Sequence, residues 1–327
     1  MEENQSRTDL TQFAEKVRTL KESIAKVVVG QDQTVDLLLT AILANGHVLI
    51  EGVPGVAKTL LARLVAKLVD ADFSRVQFTP DLMPSDVLGT TVFNMKSGEF
   101  DFHPGPVFAD IVLVDEVNRA PAKTQAALFE VMEERQVTID GKSHRMGDVY
   151  TILATQNPVE QEGTYKLPEA QTDRFMMKVV IDYPTLEEEK KIIRENIAGA
   201  LPTVTPVTTA DEILRARAVV REVYIDEKIE QYIADIVFAT RYPDRYGLKD
   251  MKDMISFGGS PRASINLAKA ARAYAFIKRR GYVVPEDVRA VAHDVLRHRI
   301  GLTYEAEASN VTSEEIVSKI INKVEVP

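Results

Sequence analysis

The sequence predicts an α/β protein in which a parallel sheet, covered by helices on both faces, is followed by a smaller all-helical domain. Up to about residue 183, short apolar runs of strand length alternate with helical segments, and this alternation is typical of a buried parallel sheet. Beyond Tyr183-Pro184, apolar residues recur every three or four positions, as amphipathic helices require. Proline and glycine cluster between the two regions, which indicates a linker.

The first region contains five candidate strands, at residues 47–51, 74–78, 111–114, 150–154 and 176–181. Before and between them, residues 10–44 predict two helices around a short extended piece at 27–31. Residues 79–108 carry glycine, proline and short alternating runs, and they predict an insertion with a small β element. Residues 136–146 predict a tight hairpin, because Asp140-Gly141 favours positive φ at the turn.

The second region contains helical patterns and predicts no further strand. Helices are expected at residues 186–197, 211–223, 229–239, 263–277 and 286–296. The chain therefore divides into a core at residues 1–183, a linker at 184–205 and a helical domain at 206–327. The boundary is placed where proline and glycine cluster, at Pro184, Gly199, Pro202 and Pro206.

The composition suits a two-domain globular protein and excludes several other classes. The 327 residues are 45% hydrophobic and 27% charged, within the range of ordinary globular domains. A formal net charge of -9 opposes nonspecific binding to nucleic acid or anionic lipid. No cysteine is present, so disulfides and thiolate metal sites are excluded. The N-terminus lacks a secretory pattern and no apolar run has the length of a membrane span, which predicts a cytoplasmic protein without membrane insertion.

A glycine-containing loop follows the first strand and opens a helix, which is the context that a phosphate-binding loop needs. Glycine lets backbone N–H groups curl around an anion, and the helix N-terminus adds a positive field. Lys58 can reach the outer phosphates, and the Thr59 hydroxyl can bind Mg²⁺. The candidate nucleotide-binding residues of this loop are Gly52, Val53, Pro54, Gly55, Val56, Ala57, Lys58, Thr59 and Leu60.

Ala57 departs from the pattern of such loops, since a second glycine is expected at this position. An alanine is tolerable here only with a negative φ, so we expect a negative φ at Ala57. The alternative interpretation of the whole motif is an ordinary strand-to-helix turn that happens to contain a lysine.

Two carboxylates, Asp115 and Glu116, follow the apolar residues of the third strand. The carboxyl ends of parallel strands face the ligand crevice, so Asp115 can hold the water shell of Mg²⁺ while Glu116 polarises an attacking water. This pair suits hydrolysis rather than binding alone, although a solvated strand end is the alternative. Asn157, after the fourth strand, could orient the same water or touch the γ-phosphate, but an asparagine before Pro158 is commonly a turn residue.

Three arginines are candidates for contact with a γ-phosphate. Arg262 lies in the first turn of a helix opened by Ser260-Pro261, where free N–H groups already attract anions. Arg174 lies just before the fifth strand and could project at the γ-phosphate of a neighbouring subunit. Arg119, soon after the acidic pair, is the third candidate. The alternatives are a solvated side chain for Arg262 and a surface ion pair for Arg174.

The order of these motifs resembles the AAA+ superfamily, and the chain is similar to the MoxR family within it. The resemblance is carried by residues 29–31, 52–59, 76–81, 115–120, 154–158, 169–175 and 260–263. It implies that Asp115 and Glu116 are the Walker B acids and that Asn157 is sensor 1. It also implies that Arg174 is the arginine finger and Arg262 is sensor 2. Gly30 and Gln31 would lie against adenine. The family's own loop carries alanine at the position of Ala57.

The resemblance also implies the cofactors ATP and Mg²⁺ and a homo-oligomer, usually a hexamer. It implies an ATPase that acts as a chaperone-like remodeller of a partner protein, often one with a von Willebrand A domain. In the family's terms, residues 79–108 are the helix-2 insert and residues 136–146 are the presensor hairpin. Both elements line or approach the ring pore in relatives, so they are where contact with a protein substrate is expected.

Two other classes of function stay open. A nucleic-acid motor or loader, or a magnesium-chelatase-like motor subunit, would share the insert and the hairpin, and Lys142, His144 and Arg145 put a small basic cluster at the hairpin tip. A solvated turn explains that cluster equally well, and the net charge of -9 disfavours DNA as the main partner. The third class is a nucleotide-gated scaffold without useful turnover. Glu116 argues against it, because a switch needs no group that activates water.

Overall fold

A five-stranded parallel sheet lies at the centre of the first region of the chain. The computed structural model describes residues 2–158, 164–165, 167–197 and 204–327. Gly199 and Pro202 of the predicted linker lie outside the described residues. Within the described ranges, no helix combines the length and the apolar character needed to cross a membrane.

Strands and helices alternate in the first region, and helices dominate the second. In chain order the helices are α1 (Glu2–Ala25), α2 (Asp32–Leu43), α3 (Lys58–Leu68), α4 (Pro84–Leu88), α5 (Ala122–Glu134), α6 (Glu169–Thr172), α7 (Leu186–Ile197), α8 (Ala210–Glu222), α9 (Glu227–Arg241), α10 (Pro261–Ile277), α11 (Pro285–Leu296), α12 (Tyr304–Ala308) and α13 (Ser313–Lys323). The strands are β1 (Val48–Gly52), β2 (Phe73–Gln77), β3 (Gly89–Asn94), β4 (Glu99–Pro104), β5 (Ile111–Asp115), β6 (Gln136–Ile139), β7 (Lys142–Arg145), β8 (Thr151–Gln156), β9 (Met177–Ile181), β10 (Ile255–Phe257) and β11 (Gly301–Leu302). Short 3-10 helices span Pro106–Phe108, Val117–Arg119, Pro243–Tyr246 and Lys249–Met251.

The central sheet has the strand order β2-β5-β8-β1-β9, and every neighbouring pair is parallel. These are the five strands predicted from the sequence, each within two residues of its expected bounds. Parallel neighbours need crossover connections, which the helices between the strands provide. All five strands therefore end at the same edge of the sheet, where ligand crevices form in open α/β sheets.

Both faces of this sheet are buried. Along β5, Ile111 and Leu113 belong to one hydrophobic cluster, while Val112 and Val114 belong to the other. This alternation follows from the two-residue period of side chains on a strand. Helix α3 packs its buried residues into the first cluster, and α5 packs Phe129 and its neighbours into the second. The predicted fold class is confirmed.

The second region differs from the sequence prediction in two ways. Strands β10 and β11 pair antiparallel, although no strand was expected there. They have three and two residues, which is too short for a recognisable period. Helices α12 and α13 also lie outside the predicted set. A signal for α13 was available, because Thr312 and Glu315 form a capping box at its start.

Two connecting segments also differ from their predicted form. The piece at residues 27–31 is a turn and not an extended segment, because the N–H groups of Val27 and Val28 both donate to the Ile24 carbonyl. Helix α7 occupies much of the segment assigned to a linker, at the position where the sequence also predicts a helix.

Two antiparallel hairpins are added to this core. The insertion at residues 79–108 contains α4 and the hairpin β3–β4, and residues 136–146 form the hairpin β6–β7. Asp140 and Gly141 have φ values of 50° and 76°, as the predicted tight turn requires. The two hairpins meet where the rings of Phe102 and His144 stack, with centroids 4.0 Å apart.

A buried arginine joins the second region to the segment before β9. Arg299 is 3% exposed, and it donates to Asp173 Oδ1 at 2.7 Å and to the carbonyls of Asp173, Phe175 and Met176. Burial lowers the pKa of Arg299 to about 10, against the opposing effect of the Asp173 carboxylate. Ser260, at the start of α10, donates through its hydroxyl to the other oxygen of Asp173 at 2.9 Å. Asp173 therefore ties the start of α10 to the segment before β9.

His47, directly before β1, connects α5 to β8 in its neutral form. Its Nε2 lies 3.1 Å from the Met132 carbonyl oxygen, and its Nδ1 accepts from the Ile152 N–H at 2.9 Å. A nitrogen that accepts carries no proton, so this geometry fits the Nε2–H tautomer and not the imidazolium. Burial lowers the pKa of His47 to about 3, and the nearby charge of Arg135 acts in the same direction.

We expect His47 to make the protein less stable in acid. The unfolded chain protonates this histidine below pH 6.5 and the folded chain only near pH 3, so the free energy of unfolding falls as the pH drops through that window. Between pH 7 and pH 5 the loss from His47 is about 2 kcal/mol. Urea unfolding of the parent chain and of His47→Gln at pH 7 and pH 5 measures this loss of unfolding free energy. His103→Gln, at an exposed position, is the control. Equal losses in the parent and His47→Gln would contradict this role.

Candidate nucleotide-binding site

The loop between β1 and α3 curls at the carboxyl edge of the sheet. Gly55 has φ of 88° and open space around an added Cβ, so glycine is needed there for its backbone conformation. At Gly52 an added Cβ would lie 2.8 Å from the Ile181 carbonyl oxygen, so glycine is needed there for a close approach. Lys58 Nζ donates to the Gly52 carbonyl at 2.5 Å. The lysine side chain therefore reaches back to the start of the loop.

Ala57 contradicts the expectation of a negative φ. It adopts the left-handed conformation, with φ 60° and ψ 22°. Five residues connect β1 to α3, and the chain turns within them through positive φ at both Gly55 and Ala57. For a residue with a Cβ this conformation costs roughly 1–2 kcal/mol. The fold therefore holds local strain at the residue that precedes the helix.

Asp115 and Thr59 lie together at the end of β5. The Thr59 hydroxyl donates to Asp115 Oδ2 at 3.4 Å, and the Thr155 hydroxyl donates to Asp115 Oδ1 at 3.1 Å. Arg75 Nε also donates to Oδ2, at 2.6 Å. Asp115 is only 6% exposed, and these three donors fix the orientation of its carboxylate. The structure thus brings together the two residues predicted to bind a metal.

Glu116 turns away from the line of β5, since it has φ of 57°. Its Oε2 accepts from Gln77 Nε2 at 2.9 Å and from Arg119 Nη1 at 2.8 Å. Its backbone N–H donates to the Thr155 hydroxyl at 2.9 Å. Arg119, the third candidate for contact with a γ-phosphate, is therefore an ion-pair partner of Glu116 in its own chain.

Asn157 directly follows β8, the strand that lies between β1 and β5. Its neighbour Gln156 is level with Glu51 of β1, so Asn157 lies at the same edge as the loop and the acidic pair. The residue is 7% exposed. A buried amide at this edge can hydrogen-bond a water or an oxygen in the crevice.

A cavity of about 240 Å³ adjoins the loop. Of the predicted residues, those that line it are Gln31, Gly55, Val56, Ala57 and Leu60. Largely apolar walls with a few polar groups suit a planar base. Gly30 lies beside the cavity with φ of 76°, and an added Cβ would meet Glu188 Oε1 at 2.3 Å. Glycine is needed at position 30 for this positive φ, because the Glu188 carboxylate ends a flexible side chain that can move aside.

Part of the cavity wall could not be predicted from the motifs. Pro184, Ile192 and Glu195, in α7 and just before it, also line the cavity. They belong to the segment that the sequence assigns to a linker. No local pattern marks them, because only the folding of α7 onto the loop brings them there.

Arg174 lies at the opposite edge of the sheet from the loop. In the pair β1–β9, Ile181 is level with Gly52, where the loop begins, whereas Met177 is the first residue of β9. Arg174 precedes Met177, so the length of the strand separates it from the loop, a distance of at least about 13 Å. The arginine therefore lies at the amino ends of the strands.

Arg262 shares a carboxylate with Arg174. Arg174 Nε donates to Glu133 Oε2 at 2.7 Å, and Arg262 Nη2 donates to Glu133 Oε1. The hydrogen bond from Arg174 is the main cause that lowers the pKa of Glu133, so the carboxylate is ionised at neutral pH. Both arginines therefore lie on the side of the sheet that is remote from the loop of their own chain.

Comparisons with known proteins agree with this geometry. Residues 47–177 match the family model described as the ATPase family associated with various cellular activities (AAA), and residues 249–320 match an AAA lid domain. Chaperone MoxR1 of Mycobacterium tuberculosis is 44% identical over 96% of this chain and 84% of its own length. The chain belongs to the MoxR family of AAA+ ATPases.

Two further comparisons cover nearly the whole chain. An uncharacterized protein of Bacillus subtilis, YeaC, is 44% identical to it over 94% of this chain and 93% of its own. A crystal structure of a protein from Cytophaga hutchinsonii, 45% identical, has a TM-score of 0.94 and covers 100% of this chain and 99% of that chain. The MoxR-family architecture therefore extends over both regions.

The MoxR-family site has donors that fit Mg²⁺ with a bound nucleotide. The Thr59 hydroxyl and the Asp115 carboxylate lie 3.4 Å apart, and Mg²⁺ commonly takes one or two protein oxygens and completes its shell with water and phosphate. Among the described residues, no group of three or more His, Cys, Asp or Glu could hold a metal by itself. Water and phosphate oxygens would complete the shell of a Mg²⁺ ion held by Thr59 and Asp115.

No role was predicted from the sequence for three polar residues of this MoxR-family site. Gln77 and Thr155 bond to the acidic pair, and Arg75 bonds to Asp115. A signal was available for two of them, since Gln77 and Thr155 lie at the carboxyl ends of β2 and β8. The same reasoning that selected Asp115 applies to any polar residue at that edge.

Proposed function

We propose that this chain hydrolyses ATP with Mg²⁺ at the subunit boundaries of a hexameric ring and uses the turnover to remodel a partner protein. The observation that carries the proposal is the 3.4 Å approach of Thr59 to Asp115, beside Lys58 and Glu116. Binding alone needs a phosphate loop and a metal ligand, whereas hydrolysis also needs a group that activates water. Glu116 is the group proposed for that step.

In the proposed mechanism, Lys58 turns from the Gly52 carbonyl to the outer phosphates. The Thr59 hydroxyl and the Asp115 carboxylate would hold Mg²⁺, which would supply positive charge to neutralise the phosphates. The Glu116 carboxylate accepts a proton from the attacking water, and Asn157 orients that water.

In this mechanism Arg174 and Arg262 act on the nucleotide of a neighbouring subunit. The sheet separates Arg174 from the loop of its own chain, and Arg262 shares Glu133 with it. In a closed ring each subunit presents one surface to a different surface of the next, so an arginine can act across the boundary. Its positive charge stabilises the charge that develops on the transferred phosphoryl group.

Exposed apolar side chains on the β3–β4 hairpin favour a protein substrate. Phe93, Met95 and Phe100 are 50%, 91% and 68% exposed. Clusters of exposed apolar side chains mark contact sites for proteins more often than for nucleic acid. MoxR1, the relative from Mycobacterium tuberculosis, is named a chaperone. We therefore propose a protein partner, including the von Willebrand A domain proteins that the family resemblance suggests.

The basic residues that favour the nucleic-acid alternative do not form the expected cluster at the hairpin tip. The tip is Asp140-Gly141, and Lys142, His144 and Arg145 lie along β7. Lys142 and His144 share one face of the strand, while Arg145 lies on the other. The ring of His144 stacks on Phe102. The three basic side chains therefore do not share one face of the hairpin, which weakens the local support for the nucleic-acid alternative.

Phosphate release by the parent chain tests the proposal, measured with an unfolded polypeptide such as casein or with a single-stranded oligonucleotide. We expect turnover to need Mg²⁺ and to change with the polypeptide and not with the oligonucleotide. Met95→Asp should remove the response to polypeptide while basal turnover stays at the parental level, because the change places a charge on an exposed apolar contact. Ser97→Asp adds the same charge at an exposed polar position of the same hairpin and serves as the control.

Other outcomes point to the alternatives. A response to the oligonucleotide alone, with retention that weakens in salt, would favour a nucleic-acid motor. Binding of ATP without phosphate release from assembled rings would favour a scaffold. Affinity capture with Glu116→Gln in ATP then identifies the partner, because a ring that does not turn over should hold what it binds.

A further inference from the structure

Glu133 lies at the centre of a small charged site formed by two parts of the chain. Arg174 comes from the segment before β9 and Arg262 from the first turn of α10. Each guanidinium donates to a different oxygen of the Glu133 carboxylate, which lies at the end of α5. Both carboxylate oxygens are therefore engaged, one by each arginine.

The surrounding residues fix this arrangement. Asp173, next to Arg174, accepts from the Ser260 hydroxyl, and Ser260 is the N-cap of the helix that carries Arg262. Buried Arg299 donates to the other oxygen of Asp173 and to the backbone of the same segment. The backbone positions of the two arginines are thus set by a buried network that does not include Glu133.

The site is open to an incoming anion. The side chains of Arg174, Arg262 and Glu133 are 30%, 45% and 37% exposed. They line a cavity of about 250 Å³, to which Lys269 also contributes. Asp173, the other carboxylate of this cavity, is paired with Arg299. Three cations against one available carboxylate leave an excess of positive charge, which suits an anion such as phosphate.

We infer that Glu133 is a positioning residue that holds Arg174 and Arg262 together in the free subunit, and that a phosphate of the nucleotide on a second copy of this chain takes its place. The inference rests on the proposed action of these arginines across a subunit boundary. A phosphate, like the Glu133 carboxylate, presents at least two oxygens, so each guanidinium can keep one acceptor when phosphate replaces the carboxylate. The ion pairs are exposed and individually weak, so an incoming phosphate can displace the carboxylate.

Nucleotide-dependent association of the parent chain and of Glu133→Gln tests this inference. Glutamine keeps the size and one acceptor oxygen of the side chain but removes the charge that competes with phosphate. Sedimentation velocity with a non-hydrolysable ATP analogue gives the analogue concentration for half-maximal association. We expect Glu133→Gln to lower it about threefold to tenfold, because two exposed ion pairs no longer oppose the exchange.

Two controls distinguish this role from a structural one. Glu134→Gln removes the same charge from the neighbouring exposed carboxylate, and it should leave the half-maximal concentration at the parental value. In a chain that already carries Arg174→Ala and Arg262→Ala, adding Glu133→Gln should leave the half-maximal concentration unchanged. The reason is that the competition involves these two guanidiniums. A loosened α5 would instead weaken association, whichever residues occupy positions 174 and 262.

The outcomes also distinguish this inference from the proposed function. A half-maximal concentration that is unchanged or higher in Glu133→Gln would overturn the positioning role while ATP hydrolysis by the parent chain stands. Equilibrium binding of a fluorescent ATP analogue is measured on the same samples. A parent chain that does not bind it would overturn the proposed function, and the inference on Glu133 with it.

Discussion

Replacing Glu116 by glutamine is expected to stop ATP turnover while leaving ATP binding intact. The amide has the length of the carboxylate and can still accept from Gln77 and Arg119, whose nitrogens lie 2.9 Å and 2.8 Å from Oε2. It cannot accept a proton from water near neutral pH. A positioned general base contributes about a hundredfold to ten-thousandfold, so we expect a loss of turnover in that range.

Two measurements together test this role of Glu116. Phosphate release gives the turnover, and equilibrium binding of a fluorescent ATP analogue gives the affinity. Lys58→Ala should instead weaken the binding of ATP, because it removes a cation that reaches the phosphates. Glu130→Gln, at an exposed position of α5, is the control for loss of one negative charge. Parental turnover in Glu116→Gln would show that another group activates the water.

Replacing Arg174 by alanine is expected to abolish ATP turnover in rings made only of the variant. An arginine supplied from outside the active site contributes about a thousandfold or more to phosphoryl transfer. Arg174 lies beyond the amino end of β9, whereas the loop follows the carboxyl end of β1 in the parallel pair. This position favours action on the site of the neighbouring subunit, so the loss of Arg174 should be felt there.

A mixed ring decides between action within a chain and action across a boundary. A subunit with Arg174→Ala keeps Glu116, and a subunit with Glu116→Gln keeps Arg174. In an equal mixture roughly one boundary in four combines an intact Glu116 with an intact Arg174 from the next subunit. Turnover should therefore return when the two inactive variants are mixed. No recovery from assembled mixed rings would contradict the proposed action in trans.

The proximity of the residues proposed to surround the phosphates could be predicted because their positions follow from local rules. A loop after a strand and before a helix must lie at the carboxyl edge of a parallel sheet, and so must acids that end a neighbouring strand. Thr59 and Asp115 are 3.4 Å apart for this reason, although 56 residues separate them in the chain. Gln77 and Thr155 obey the same rule, but no role in the site was predicted for them, although they lie in segments that carry the family resemblance.

The backbone of the loop could not be predicted with the same reasoning. Alanine disfavours positive φ, and this preference led to a wrong prediction of the conformation of Ala57. The penalty is roughly 1–2 kcal/mol, which the packing of a whole domain can outweigh. Local preference therefore gave way to the geometry of the connection between β1 and α3.

The sequence by itself determined the parallel sheet and the positions of the candidate phosphate loop and the acidic pair, because periodicity and motif spacing are local properties of the chain. Only the tertiary structure decided that Arg174 and Arg262 meet at Glu133, and that α7 closes one side of the cavity beside the loop. Such contacts join residues that are far apart in the chain, up to 129 positions for Glu133 and Arg262. They depend on how helices pack across the sheet and between the two regions, and no pattern within a single segment encodes that packing.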